Sequence, residues 1–83
     1  MEERFERGIT KKYSPRFGKI AVDMGFITTE QLKSALSEQV DDEIYGNPHR
    51  VIGSIFFEKG WMTYQEIEKV LKELLKEINN DRP

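Results

Sequence analysis

Apolar residues recur along this chain in four bursts, each at helical spacing. Phe17, Ile20, Ala21 and Met24 fall at i, i+3, i+4 and i+7, which places them on one helical face. Leu32, Ala35, Leu36, Gln39 and Val40 make a second stripe, Ile52, Ile55 and Phe56 a third, and Ile67, Val70, Leu71, Leu74 and Ile78 a fourth. The punctuation between them is chemical. Ser14-Pro15 reads as an N-cap followed by proline at the first helical position, and Asn47-Pro48 repeats that logic. Thr28 with Gln31, and Thr63 with Glu66, are capping boxes. Gly25 and Gly60 stand where a helix ends in the left-handed conformation that glycine adopts freely. Together these predict helices over 15–24, 29–40, 48–59 and 64–78, with Glu68 and Lys72 as a supporting i, i+4 pair on the last. Between the second and third lies "DDEIYGNPHR", where Asp41, Asp42 and Glu43 read as a solvated loop. A short strand pairing around 42–47 or at the N-terminus is compatible with the pattern. Residues 1–13, with Phe5, Ile9 and Tyr13 at spacing four, read as a flexible or short-helical arm, and 79–83 as a disordered tail.

The second half of the pattern restates the first at an offset of 35. Gly18 matches Gly53, Ile20 matches Ile55, Gly25 matches Gly60, Thr28 matches Thr63 and Leu36 matches Leu71. Apolar positions correspond as well: Phe17 with Ile52, Phe26 with Trp61, Leu32 with Ile67. Each unit is a helix, a glycine turn and a capped helix, and one such hairpin cannot bury its own stripe. The expected fold is mainly α: one domain over 14–78, in which repeat one (14–40) and repeat two (47–78) pack as a compact four-helix unit. Leu36 and Leu71, as equivalent stripe residues, are expected deep in its core.

Composition narrows the function classes. The 83 residues contain no cysteine, so neither disulfides nor thiolate chemistry is available, and the cytoplasm is the natural setting. No apolar run approaches the ~20 residues of a membrane span. Thirteen basic and fifteen acidic residues leave a net charge of −2, without the basic excess that nucleic-acid binding draws on. His49 is the single histidine, which makes a transition-metal site or general-base catalysis improbable. The expectation is a chain that is not an enzyme and uses no cofactor.

One segment goes further. Arg16-Phe17-Gly18, then Gly25-Phe26-Ile27, then Leu32, Leu36 and Gln39, resembles the R-L-G-x-x-L-x-x-x-G-x-L-x-x-x-x-L-x-x-A-L-x-x-Q repeat. That repeat occurs in the amino-terminal domain of bacterial type II secretion and type IV pilus assembly ATPases (GspE-like, including the MshEN type). The likeness spans about Ser14 to Leu75. The second copy departs at Val51, where arginine would stand, and at Leu74, where glutamine would stand. The resemblance implies a docking module whose partner is another protein, such as a membrane-associated secretion or signalling component. A subset of the family binds cyclic di-GMP through the motif arginine and glutamine. No ATPase activity carries over, because the chain has no G-x-x-x-x-G-K-[ST] phosphate loop.

The candidate residues follow. For a ligand they are Arg16, Phe17, Gly18, Gln39, Arg50 and Gly53. Arg16 in a first helical turn is placed either to meet an anion or simply to be solvated, and Arg50 stands near the equivalent position of the third helix. Gln39, an amide on an apolar stripe, reads as a cap for the next loop or as a contact to a base edge. Gly18 and Gly53 serve a close helix crossing or a ligand's approach to backbone. For a protein partner the candidates are the aromatic residues around the turns, Phe26, Trp61 and Tyr64.

Overall fold

The computed structural model describes residues 13–48 and 50–80. The early arm and His49 lie outside that range, as does the end of the tail. Four helices follow one another: α1 (Ser14–Asp23), α2 (Thr29–Tyr45), α3 (Ile52–Glu58) and α4 (Tyr64–Asn80). The architecture is the mainly α four-helix unit that the stripes predict. No strand occurs among the described residues; 42–45 are helical and Gly46 is the C-cap of α2.

The repeat is visible bond by bond. Phe26 N–H donates to Ala21 O at 3.0 Å and Gly25 N–H to Val22 O at 2.9 Å; 35 residues later Trp61 N–H donates to Phe56 O at 2.9 Å and Gly60 N–H to Phe57 O at 3.0 Å. These are paired Schellman closures, and both glycines sit at positive φ, 82° and 75°. Each second helix opens with a closed capping box. Gln31 N–H donates to the Thr28 hydroxyl while the Gln31 amide oxygen accepts from Thr28 N–H, and Glu66 and Thr63 repeat both bonds.

The core forms between repeats as much as within them. α1 packs against all three other helices, and α2 packs against α3. Phe17, Ala21, Ala35, Ile52, Ile55, Phe56, Val70 and Leu74 are essentially inaccessible to solvent. Phe17 of repeat one stacks on Phe56 of repeat two, ring centroids 6.4 Å apart.

Several boundaries and phases differ from the expectation, each for a physical reason. α1 begins one residue early: Tyr13 is its N-cap, without a side-chain bond, because Tyr13 O already accepts Phe17 N–H. Ser14 is therefore the first helical residue and is buried. α2 continues past 40 to Tyr45, since nothing before Gly46 (φ 72°) breaks it; Asp41, Asp42 and Glu43 are helical, and Asp42 is buried. α3 starts at Ile52, not Pro48, with the extended Val51 as its N-cap. Arg50 is tied to α2 through its carbonyl, which accepts from Gln39 Nε2, and through its guanidinium on Asp42, so the connector is drawn across α2 before the helix begins. α4 includes Asn79 and Asn80. Leu36 and Leu71 are only partly buried. The innermost places on their helices go to Ala35, Val70 and Leu74, so the stripe is rotated away from Leu36 and Leu71. Val40 and Met24, at stripe ends, are exposed.

The two mid-helix glycines separate in their roles. A Cβ on Gly18 would overlap Leu32 Cδ1 and sit 3.1 Å from its Cγ and Cδ2, so α1 and α2 cross closely there. A Cβ on Gly53 would meet only Ile67 Cγ2 at 3.5 Å and Phe17 Cζ at 3.6 Å, ordinary contacts. Gly18→Ala is expected to lose roughly 1 kcal/mol, overpacking of about 1–3 kcal/mol offset by a helix-propensity gain of up to about 1 kcal/mol. Gly53→Ala is expected to be neutral or mildly stabilising, and equilibrium urea unfolding of the pair checks the contrast. In the same assay Leu74→Ala is expected to cost roughly 2–5 kcal/mol and to exceed Leu36→Ala.

Candidate functional site

The ligand candidates do not converge on one site. Each arginine is engaged by acids of the other repeat. Arg16, in the first turn of α1, is bidentate to Glu77 near the end of α4: Nε donates to Oε1 at 2.7 Å and Nη2 to Oε2 at 2.9 Å. Arg50, just before α3, grips α2. Its Nε donates to Asp42 Oδ2 at 3.0 Å, and its Nη2 to Asp42 Oδ1 at 3.3 Å and Glu38 Oε1 at 3.0 Å. Its Nη1 donates to Glu58 Oε1 at 3.0 Å. Lys59 also pairs with Glu38.

Positions 42 and 77 are 35 apart, so Asp42 and Glu77 are repeat equivalents. The arginines, at 16 and 50, are equivalent with a slip of one residue. The result is a crossed pair of clamps, each tying the start of a repeat's first helix to the second helix of the other repeat. They are unequal in strength. The Arg16–Glu77 side chains are 50% and 40% exposed, so water screens the pair and it contributes little. Asp42 is buried, and Arg50 meets three carboxylates at once.

The ionisation equilibria follow from these contacts. The hydrogen bond from Lys59, then that from Arg50, holds the Glu38 carboxyl below the usual glutamate range against a partial desolvation that acts the other way. The Arg16 hydrogen bond lowers Glu77 in the same sense and is mirrored by a raised Arg16. Arg50 is raised still further, first by its hydrogen bond to Asp42.

Gln39 is spent locally as well: its Nε2 donates to the Arg50 carbonyl at 2.9 Å, capping the connector. Gln39 and Arg50 share a cleft of about 240 Å³ with Pro15, Leu36, Val40 and Glu43. Phe17 and Gly53 belong to a different hollow. This is a groove of about 320 Å³ between α3 and α4, with Phe17, Val51, Gly53, Ile67 and Leu71 as its apolar lining and Phe57 and Tyr64 at its edge. Gly18 lies under Leu32 and reaches neither.

Of the aromatic candidates, Tyr64 is exposed, whereas Phe26 and Trp61 are half-buried. Trp61 leans on Phe56, centroids 6.4 Å apart, with Lys59 Nζ 5.7 Å from its ring centre. Phe57, absent from the sequence candidates, is 56% exposed and joins the 63% exposed Tyr64 at the groove. Its signal was present in the "IFFE" doublet, since two adjacent phenylalanines on a helix cannot both face one core. A second apolar strip, Val40, Ile44 and Tyr45, lies exposed along the end of α2. No protein family, curated protein or solved structure matches the chain.

Arg50→Met is expected to destabilise the fold by about 1–3 kcal/mol at neutral pH, because Asp42, Glu38 and Glu58 would be left facing one another. Both Glu38 and Glu77 have folded-state pKa values below their unfolded ones. Their contribution is therefore complete above about pH 4.5 and disappears as pH falls through the lower, folded values. Chemical unfolding between pH 7 and pH 2.5 checks both points: wild-type stability should decline on the acid side, and the gap to Arg50→Met should narrow with it.

Proposed function

We propose that this chain is a non-catalytic, cytoplasmic protein-docking module of the kind that its resemblance to GspE-like amino-terminal domains implies. The observation that carries the reading is the α3–α4 groove. It is apolar inside, and two aromatic side chains, Phe57 and Tyr64, are left largely in solvent at its edge. A domain this small has little surplus stability with which to expose large apolar groups, and a contiguous patch of them is what a partner's surface covers. Among the described residues, no helix is long and apolar enough to cross a membrane, so a membrane-associated partner would be met at its soluble portion.

The cyclic di-GMP alternative draws less support. Of the cations that would meet its phosphates, Arg50 is engaged by three carboxylates and Arg16 is paired with Glu77 alone, and the Gln39 amide is already committed to the connector. Val51 and Leu74 offer no polar replacement in repeat two. Binding would have to break the Arg50 network first, and each charge-assisted bond given up removes roughly 1.5–3 kcal/mol, at tenfold in affinity per 1.4 kcal/mol.

Two measurements test this. Calorimetry with cyclic di-GMP is expected to give no binding heat; low-micromolar binding that disappears in Arg50→Ala would reverse the order of the two readings. A photo-crosslinking residue at position 64 is expected to trap one protein reproducibly in cells, and the same residue at the exposed position 33 is not. Phe57→Asp should abolish the crosslink while leaving stability within about 0.5 kcal/mol, as for a surface substitution.

A further inference from the structure

We infer that the α3–α4 groove receives a basic amphipathic helix. That helix would place one large apolar side chain beside Gly53 and a lysine or arginine against Glu68 and Glu58. The inference rests on the docking reading and adds the partner's chemistry.

Shape argues first. Within repeat one, Leu32 fills the space against Gly18 so tightly that no Cβ fits. Within repeat two the same place, between Gly53 and Ile67, accepts a Cβ at ordinary contact and opens into the groove, with the Phe17 ring as floor. Ile67, the repeat equivalent of Leu32, stands further back from its glycine, so the second hairpin closes less tightly and leaves a hollow beside Ile67 that an occupant would fill. The α4 wall consists of Tyr64, Ile67, Glu68 and Leu71, at i, i+3, i+4 and i+7. At 1.5 Å per residue that wall is about 10 Å long, enough for two turns of a docked helix. A strand-like occupant has nothing to pair with, since no strand is present among the described residues.

Charge fixes the sign of the occupant. The charged residues lining the groove are Glu58 and Glu68. Glu58 donates no bond and accepts one, from Arg50, and its side chain remains 54% exposed. Glu68 is exposed and is in no ion pair among the described residues, not even with Lys72 one turn on. A cation carried by the partner meets two carboxylates, while an acidic segment would be repelled. Phe57 and Tyr64 can cover the apolar stem of that lysine or arginine and present a ring face to its charge.

The test uses two designed 18-residue helices that share a leucine stripe, one flanked by lysines and one by glutamates, titrated into the ¹⁵N-labelled protein. The lysine peptide is expected to shift the amides of Gly53, Phe57, Tyr64 and Glu68, and to bind at least tenfold more tightly than the glutamate peptide. Glu68→Lys, an exposed change outside the core, should reduce that ratio at least threefold, and rising salt should weaken the lysine peptide preferentially. Equal affinity for the two peptides, shifts centred on the Val40–Tyr45 strip, or no binding by the lysine peptide would each overturn the inference. If position 64 still crosslinks a protein in cells while both peptides fail, the docking reading survives and only the basic-helix assignment falls. If the crosslink is absent too, both fall.

Discussion

Phe17 and Phe56 are each wholly inaccessible to solvent, and they stack on one another across the boundary between the repeats. Everything else in the fold is arranged around that contact. Each helical hairpin brings an apolar stripe it cannot cover, and the stripes are satisfied only when the first helix of one repeat lies against helices of the other. The glycine turns set the geometry of each hairpin, the capping boxes fix where its second helix begins, and the Arg16–Glu77 and Arg50–Asp42 clamps hold the hairpins in one relative register. The exposed Arg16–Glu77 pair adds little energy, but both clamps oppose the sliding that a purely apolar contact tolerates.

Much of this is legible in the sequence. Positive φ at Gly25 and Gly60 follows from where glycine sits after an apolar stripe, and the capping boxes follow from Thr-x-x-Gln and Thr-x-x-Glu. What was not legible has two sources. One is long-range charge. "DDE" reads as solvent-seeking when taken alone, and it is the return of Arg50 to α2 that gives the buried Asp42 carboxylate a cation. The other is helical phase. Ala35 and Leu36 are both apolar, and sequence does not say which faces inward; a rotation of 100° decides it, and in the fold Ala35 is the buried one. The candidate site shows both. Motif spacing groups Arg16, Gln39 and Arg50 as one ligand set, while folding gives each a partner within the chain and leaves Phe57 in solvent with Tyr64 at the groove edge.

The repeats are thus alike in backbone and unlike in filling. In the first, Leu32 presses on Gly18; in the second, Ile67 stands back from Gly53 at ordinary contact, a groove opens beside it, and aromatic side chains stand at its edge. Duplication supplied two copies of one scaffold, and only one of them has to be complete for the core to close. The other keeps an opening while the shared interior stays closed.

The connector gives this arrangement a further meaning. Residues 46–51 are all that join two hairpins whose main contacts are with each other. In effect each half is the other's ligand, and the connector sets the effective concentration at which they meet. Cutting it would turn an intramolecular fold into a bimolecular complex governed by mass action. At high local concentration an intact chain could equally lend its second hairpin to a neighbour's first. The length of those few residues therefore governs whether the molecule closes on itself or trades halves with its own kind.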